Sequence, residues 1–252
     1  MTKRRVLAVG GTLRLDYGST TIVPRLGVLA SCLASTRPPN VLHLGTASGD
    51  DGNDRADVDN DFEHVARDIQ HLELFRRSLS SDSIHELIRW ADVIYVSGGN
   101  TANAVAIWQL HKVDRMLREA WNNGTIAAGS SAGAMCWFTG GLSDSFGGLR
   151  LINQTLGMIP GLVCPHYDDQ RRSAFRKAIR STRSGDTVGY GIPNGSAILF
   201  EDDRPKVAFV SDGASTPSII SVGPLGHLCE APLQRTVDVS TVIEQHKALQ
   251  PA

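Results

Sequence analysis

Gly129-Ser130-Ser131-Ala132-Gly133 fits the pattern G-x-S-x-G, and its neighbours decide how it is read. Thr125-Ile126-Ala127-Ala128 upstream has the apolar character of a short buried strand, and Ala132 to Phe138 downstream reads as a helix start. A serine at such a junction sits on a tight turn with its hydroxyl out of the sheet, and flanking glycines let the backbone crowd in. The same turn aims helix N-terminal N–H groups at an oxyanion. The other reading is a glycine-rich turn that holds an ordinary serine. Ser130 is the competing hydroxyl, but it occupies the x position.

Outward from this turn, apolar runs recur between glycine or polar turns. Val6 to Val9, Val41 to Leu44 and Val93 to Val96 are apolar on both faces, which predicts central parallel strands. Leu72 to Phe75 is a shorter strand candidate. Helical patterns lie between them, at about Thr21 to Ser35 with Pro24 in its first turn, Asp61 to Gln70 and Ser83 to Trp90. Further helices are expected from near Ala102 with Thr101 as N-cap, over Val113 to Asn122, and over Asp169 to Thr182. From about Thr187 the chain becomes strand-rich (Thr187 to Ile192, Ser196 to Phe200, Lys206 to Val210, Ser218 to Val222), which suggests an antiparallel extension on one edge. A short terminal helix is expected from about Thr241. The alternation predicts a single α/β domain over residues 1–252, with helices on both faces of a mostly parallel sheet.

At 252 residues, with 41% apolar and 20% charged residues, the chain can bury a sizeable core. A net charge of −1 leaves no electrostatic footprint for nucleic acid or an anionic membrane. The apolar run after Met1-Thr2-Lys3-Arg4-Arg5 is too short for a secretory signal, and no run is long enough to span a membrane. A cytoplasmic location is the expectation. Cys32, Cys136, Cys164 and Cys229 form no C-x-x-C pair and no zinc spacing, so reduced thiols in or near the core are expected. Asp50 to Asp61 is rich in acid, but an EF-hand loop from Asp57 would place Phe62 where glycine belongs and Asp68 where glutamate belongs. A solvated loop capping the next helix is the expectation, with no metal and no cofactor.

Ligands of open α/β sheets bind at the C-terminal ends of strands. Two further loops then matter. Ser97-Gly98-Gly99-Asn100-Thr101 follows a strand and offers backbone N–H groups, either as an oxyanion hole or as a turn that needs glycine for geometry alone. Cys164-Pro165-His166-Tyr167-Asp168 follows the short run Gly161-Leu162-Val163 and places a histidine at a strand end, suited to a general base. His64, His71, His85 and His111 fall within or beside helices, and His43 within a strand.

Together these loops resemble the peptidase E family of serine peptidases, the aspartyl dipeptidase group related to cyanophycinase. The matching segments are Thr46 to Asp50, Val96 to Thr101, Gly129 to Ala134 and Pro165-His166-Tyr167, and the resemblance extends to about Phe200. It implies a three-layer α/β/α sandwich similar to class I glutamine amidotransferases. Ser131 would be the nucleophile and His166 the base, with Gly98, Gly99 and the Ala132 N–H at the oxyanion. The third position departs from the family. A glutamate is usual there, but Gly191-Ile192-Pro193-Asn194-Gly195 carries asparagine. Asn194 ranks first as the residue that orients the imidazole, Asp144 second, and Glu201 is weaker. The implied substrate is a short peptide, with aspartate at its N-terminus in the best-known branch. Asn100, Arg171 and Arg172 are candidates to bind it. Two alternatives are a cyanophycinase-like hydrolase of aspartate–arginine linkages and a catalytically silent binding protein. A homodimer is compatible with the sequence, which does not set the oligomeric state.

Overall fold

A computed structural model describes residues 3–11, 25–75, 79–182, 187–223 and 227–248. Pro24 lies outside them. The chain runs through β1 (Arg5–Val9), α1 (Arg25–Leu33), β2 (Asn40–Leu44), α2 (Gly52–Phe62), β3 (Asp68–Leu72), α3 (Ser81–Trp90), β4 (Val93–Val96), α4 (Thr101–His111), α5 (Val113–Asn122) and β5 (Ile126–Ser130). It continues through α6 (Ala132–Met135), β6 (Phe138–Ser143), β7 (Arg150–Ile152), β8 (Ile159–Pro165), α7 (Asp169–Ser181), β9 (Val188–Ile192), β10 (Ser196–Glu201), β11 (Arg204–Val210), β12 (Ser218–Val222), β13 (Leu228–Pro232), β14 (Thr236–Asp238) and α8 (Val239–Ala248).

The main sheet has the order β14-β11-β10-β1-β5-β4-β2-β3. Its β1, β5, β4, β2 and β3 run parallel, as the two-sided apolar runs predict. Alternate residues of each run go to opposite layers. Val6, Ala8, Leu42, Leu44, Ile94 and Val96 pack with α3, α4 and α5, whereas Leu7, Val9, Val41, Val93 and Tyr95 pack with α1, α2 and α8. The result is an α/β sandwich. No described helix is long and apolar enough to cross a membrane.

Four local expectations need correction. The acidic stretch is helix α2, and the helix expected over Asp61 to Gln70 does not form. Asp51 caps α2, its side chain accepting from the N–H groups of Asn53 and Asp54, while Val58 and Phe62 are buried. Capping and two anchors outweigh the poor helix propensity of Asn and Asp. The strand expected over Leu72 to Phe75 lies earlier, over Asp68–Leu72, which places His71 in a strand. It is an edge strand, so Asp68 and Gln70 are tolerated there. Asn100, not Thr101, caps α4, its side chain accepting from Asn103 N–H. Finally, α6 is a single turn, and the chain returns to a strand at Phe138.

The C-terminal strands also divide instead of extending one edge. β10 continues the main sheet antiparallel to β1, and β11 lies antiparallel to β10. β9, β12 and β13 join β6, β7 and β8 in a second sheet of order β13-β12-β9-β8-β6-β7. The two sheets meet where β1, β5, β8 and β9 end, and this seam carries the candidate site. Phe62→Ala should destabilise the fold by about 3–5 kcal/mol in chemical denaturation. A loss below about 1 kcal/mol would mean that α2 is not packed as described.

Candidate active site

Ser131 links β5 to the one-turn helix α6 with φ 55° and ψ −112°. Positive φ costs a serine energy that surrounding contacts must hold in place. Its N–H donates to Val9 O at 3.0 Å, and its carbonyl accepts from Met135 N–H at 3.0 Å. Gly133 then lies so close to β4 that an added Cβ would meet Val96 O at 2.0 Å. The second glycine of G-x-S-x-G therefore serves close backbone approach, and Ser131 projects at the strand ends.

His166 follows β8 and also takes positive φ, 51°. Its N–H donates to Gly10 O at 2.9 Å. Its ring joins the residues that the sequence picked out. Nε2 lies 2.7 Å from Ser131 Oγ, and Nδ1 lies 2.6 Å from Asn194 Oδ1. Asn194 presents an acceptor, so Nδ1 carries the ring proton and Nε2 accepts from the serine hydroxyl. That is the tautomer a general base requires.

Asp144 is not among the partners of the imidazole, whose two nitrogens meet Ser131 and Asn194. Its carboxylate accepts from Arg171 Nη2 at 2.7 Å. Glu201 is remote, ion-paired to Lys3 at 3.2 Å. Arg171 is thus paired with Asp144, and Arg172 Nε lies 3.1 Å from Glu230 Oε1. Glu230 also accepts from Arg176 and, at 3.1 Å, from the Tyr167 hydroxyl. Burial works against its ionisation, but the Arg176 hydrogen bond and the Arg172 charge win and hold its carboxyl below the usual range. This group fastens the start of α7 behind His166. Asn100 is likewise committed to structure, since Oδ1 caps α4 and Nδ2 donates to Ser145 O at 3.0 Å.

Gly98 stands against Ser131, and an added Cβ there would lie 3.5 Å from Ser131 Cβ. The N–H groups of Gly98, Gly99 and Ala132 have no hydrogen-bond acceptor among the described residues. Three free donors beside a hydroxyl–imidazole pair can receive an oxygen that gains negative charge. Cys136, one turn beyond, is no rival nucleophile. Burial pushes its thiol well above the ordinary range, and Sγ donates to Gly133 O at 3.0 Å. Among the described residues no group of three His, Cys, Asp or Glu could hold a metal.

Gly10 and Gly11, just past β1, carried no role in the sequence analysis. Gly11 lies over the His–Asn contact, and an added Cβ would fall 2.0 Å from Asn194 Oδ1 and 2.8 Å from His166 Nδ1. Gly11 O accepts from Ser130 Oγ at 3.2 Å. The signal was present, a glycine pair at a strand end, but its partners lie more than a hundred residues away in sequence.

A model of peptidase family S51 matches residues 23–208. The chain belongs to peptidase family S51. It is 40% identical over 168 residues to the uncharacterized peptidase YgaJ of Bacillus subtilis (strain 168), an overlap of 66% of this chain and 71% of that protein. The crystal structure of a peptidase E candidate from Listeria monocytogenes EGD-e superimposes with TM-score 0.60 at 17% identity, over 81% of this chain and 98% of that one. A peptidase from an acI-B1 Actinobacterium gives TM-score 0.57 at 18% identity, over 92% and 95%. At these identities the two structures speak for the fold. Family membership makes the chain an enzyme, a peptidase.

Gly11→Ala should part His166 from Asn194 while leaving both sheets intact. Peptidase activity should fall by roughly 100-fold, the cost of a misplacement of about 1 Å at a reacting group, with an unchanged far-ultraviolet circular dichroism spectrum. Full activity in this variant would show that the contact is dispensable.

Proposed function

We propose that the chain hydrolyses dipeptides or short peptides near their N-terminus by acyl-enzyme chemistry at Ser131. The observation that carries this reading is the 2.7 Å contact between Ser131 Oγ and His166 Nε2, with the far ring nitrogen on Asn194. Ser131 Oγ attacks the scissile carbonyl while Nε2 takes its proton. The carbonyl oxygen becomes negative and is received by the free N–H groups of Gly98, Gly99 and Ala132. Each such donor contributes on the order of 10²–10³ in turnover. His166 then gives its proton to the leaving amine as the C–N bond breaks. Water, deprotonated by the same nitrogen, releases the acid and restores the serine.

Asn194 fixes the ring and its tautomer but brings no charge to the imidazolium. The intact contact favours an active enzyme over a silent binding protein. An N-terminal aspartate would reach Arg171 only by displacing Asp144 from it, and Arg172 is held by Glu230. We therefore take short peptides in general, not aspartyl peptides in particular, as the substrate class. A panel of dipeptides, blocked peptides and an aspartate–arginine side-chain linkage separates this from the cyanophycinase-like alternative.

Ser131→Ala should abolish hydrolysis with no loss of fold, and retained turnover would reject the assignment. Asn194→Asp should move the acid limb of the pH–rate profile to higher pH, because a carboxylate beside Nδ1 favours the imidazolium. The base is then lost at a higher pH as the solution is acidified. An unmoved limb would remove Asn194 from the orienting role.

A further inference from the structure

A second hydroxyl–imidazole chain lies beneath the glycine loop. His43, on β2 and 2% exposed, places Nε2 2.7 Å from Ser97 Oγ. Its Nδ1 lies 3.0 Å from His71 Nδ1, and His71 Nε2 lies 2.9 Å from Asp59 Oδ1. Asp54 Oδ2 stands 3.6 Å from His43 Nε2 and accepts from Ser48 Oγ at 2.7 Å. Tyr95 stacks on the His43 ring at 6.1 Å between centroids. Ser97 is 1% exposed, so substrate does not reach this hydroxyl.

The chain has a direction. Asp59 accepts, so His71 Nε2 carries a proton. Burial, aided by the nearby His43, pulls the His71 imidazole below its usual range and keeps it neutral. His71 Nδ1 is then an acceptor and His43 Nδ1 donates to it. The Ser97 hydroxyl therefore faces two acceptors, His43 Nε2 at 2.7 Å and the Asp54 carboxylate, which burial pushes up but hydrogen bonds from this pair help to hold below its usual range. Ser97, His43 and His71 are thus ordered below the surface, at a desolvation cost, and the chain ends on the half-exposed Asp59.

That serine adjoins the free amides. Ser97 N–H reaches Leu44 O only at 3.5 Å, so the short bond to His43 is the firmer tie on this residue. The next residue, Gly98, faces Ser131. On the far side of the loop, Asn100 N–H donates to Ala47 O at 2.8 Å. The loop is therefore held at both ends, by His43 and by the backbone of Ala47.

We propose that His43 is a positioning residue that, through Ser97 Oγ, aims the Gly98 N–H at the oxygen developing charge on the substrate. This rests on Ser131 being the nucleophile and the glycine loop the oxyanion site. His43 touches neither substrate nor Ser131. Its effect is on turnover and not on affinity, because the aimed donor is used mainly as charge develops.

The test compares wild type, His43→Phe, His43→Gln, Ser97→Ala and the double variant His43→Phe/Ser97→Ala on one peptide. Active sites are counted by intact-mass detection of phosphonylation at completion with a fluorophosphonate. Per labelled site, His43→Phe and Ser97→Ala should each lower kcat by roughly 10- to 100-fold with KM little changed. The double variant should be no worse than the weaker single, since both break one bond. His43→Gln, which can present an acceptor oxygen to Ser97, should recover most of the loss. If His43→Phe does not fold, Ser97→Ala and His43→Gln carry the comparison. Unchanged kcat per labelled site in Ser97→Ala and the folded His43 variants would overturn the proposal, as would a His43→Gln variant as impaired as Ser97→Ala. A wild type that is never labelled at Ser131 overturns the nucleophile reading and this one with it. A labelled wild type with unaffected variants overturns the positioning role alone.

Discussion

Three successive carbonyls at the end of β1 hold the two halves of the site together. Val9 O accepts from Ser131 N–H, Gly10 O from His166 N–H and Gly11 O from Ser130 Oγ. Ser131 ends a strand of the main sheet and His166 ends a strand of the second, so neither sheet alone brings hydroxyl and imidazole into contact. The β1 terminus lies against both. Backbone carbonyls suit this task because they cannot rotate away as long side chains can, and ordering them adds no side-chain entropy cost. A side chain at Gly11 would occupy the volume where imidazole and amide meet.

Ser131 and His166 both sit at positive φ, at 55° and 51°. Strain of this kind persists where the surroundings over-determine the backbone. Here the determinants are the bonds to β1, the approach of Gly133 to β4, and the α7 cluster of Tyr167, Arg172, Arg176 and Glu230. The strain lifts each side chain out of its strand and towards the other. Free N–H donors remain at the same place because a turn at the end of a parallel strand has no neighbour to pair with.

What was legible in the sequence follows from where the determining contacts lie. Central strands were readable because burial on both faces forces continuous apolar runs such as Val93 to Val96. The serine at the strand-to-helix turn and the histidine at a strand end were readable from short local patterns, whereas Asn194 was named only through the resemblance to the peptidase E family. Helix α2 was not readable, because its cap and two buried anchors are outnumbered by acidic residues, two of which, Asp54 and Asp59, serve His43, Ser48 and His71. Edge strand β3 was misplaced because it needs only one apolar face. The roles of Gly11 and His43 depend on partners distant in the chain, and no window of sequence holds both ends of such contacts. Arg171 and Arg172 looked like free cations because Asp144 and Glu230 are far away in sequence and adjacent in the fold.

The most direct measurement is a crystal structure of the protein after reaction with a small fluorophosphonate. The expectation is a covalent bond from Ser131 Oγ to phosphorus, with the phosphoryl oxygen among the N–H groups of Gly98, Gly99 and Ala132 and His166 still in contact with Asn194. An adduct on another side chain, or a phosphoryl oxygen turned away from those three amides, would contradict it.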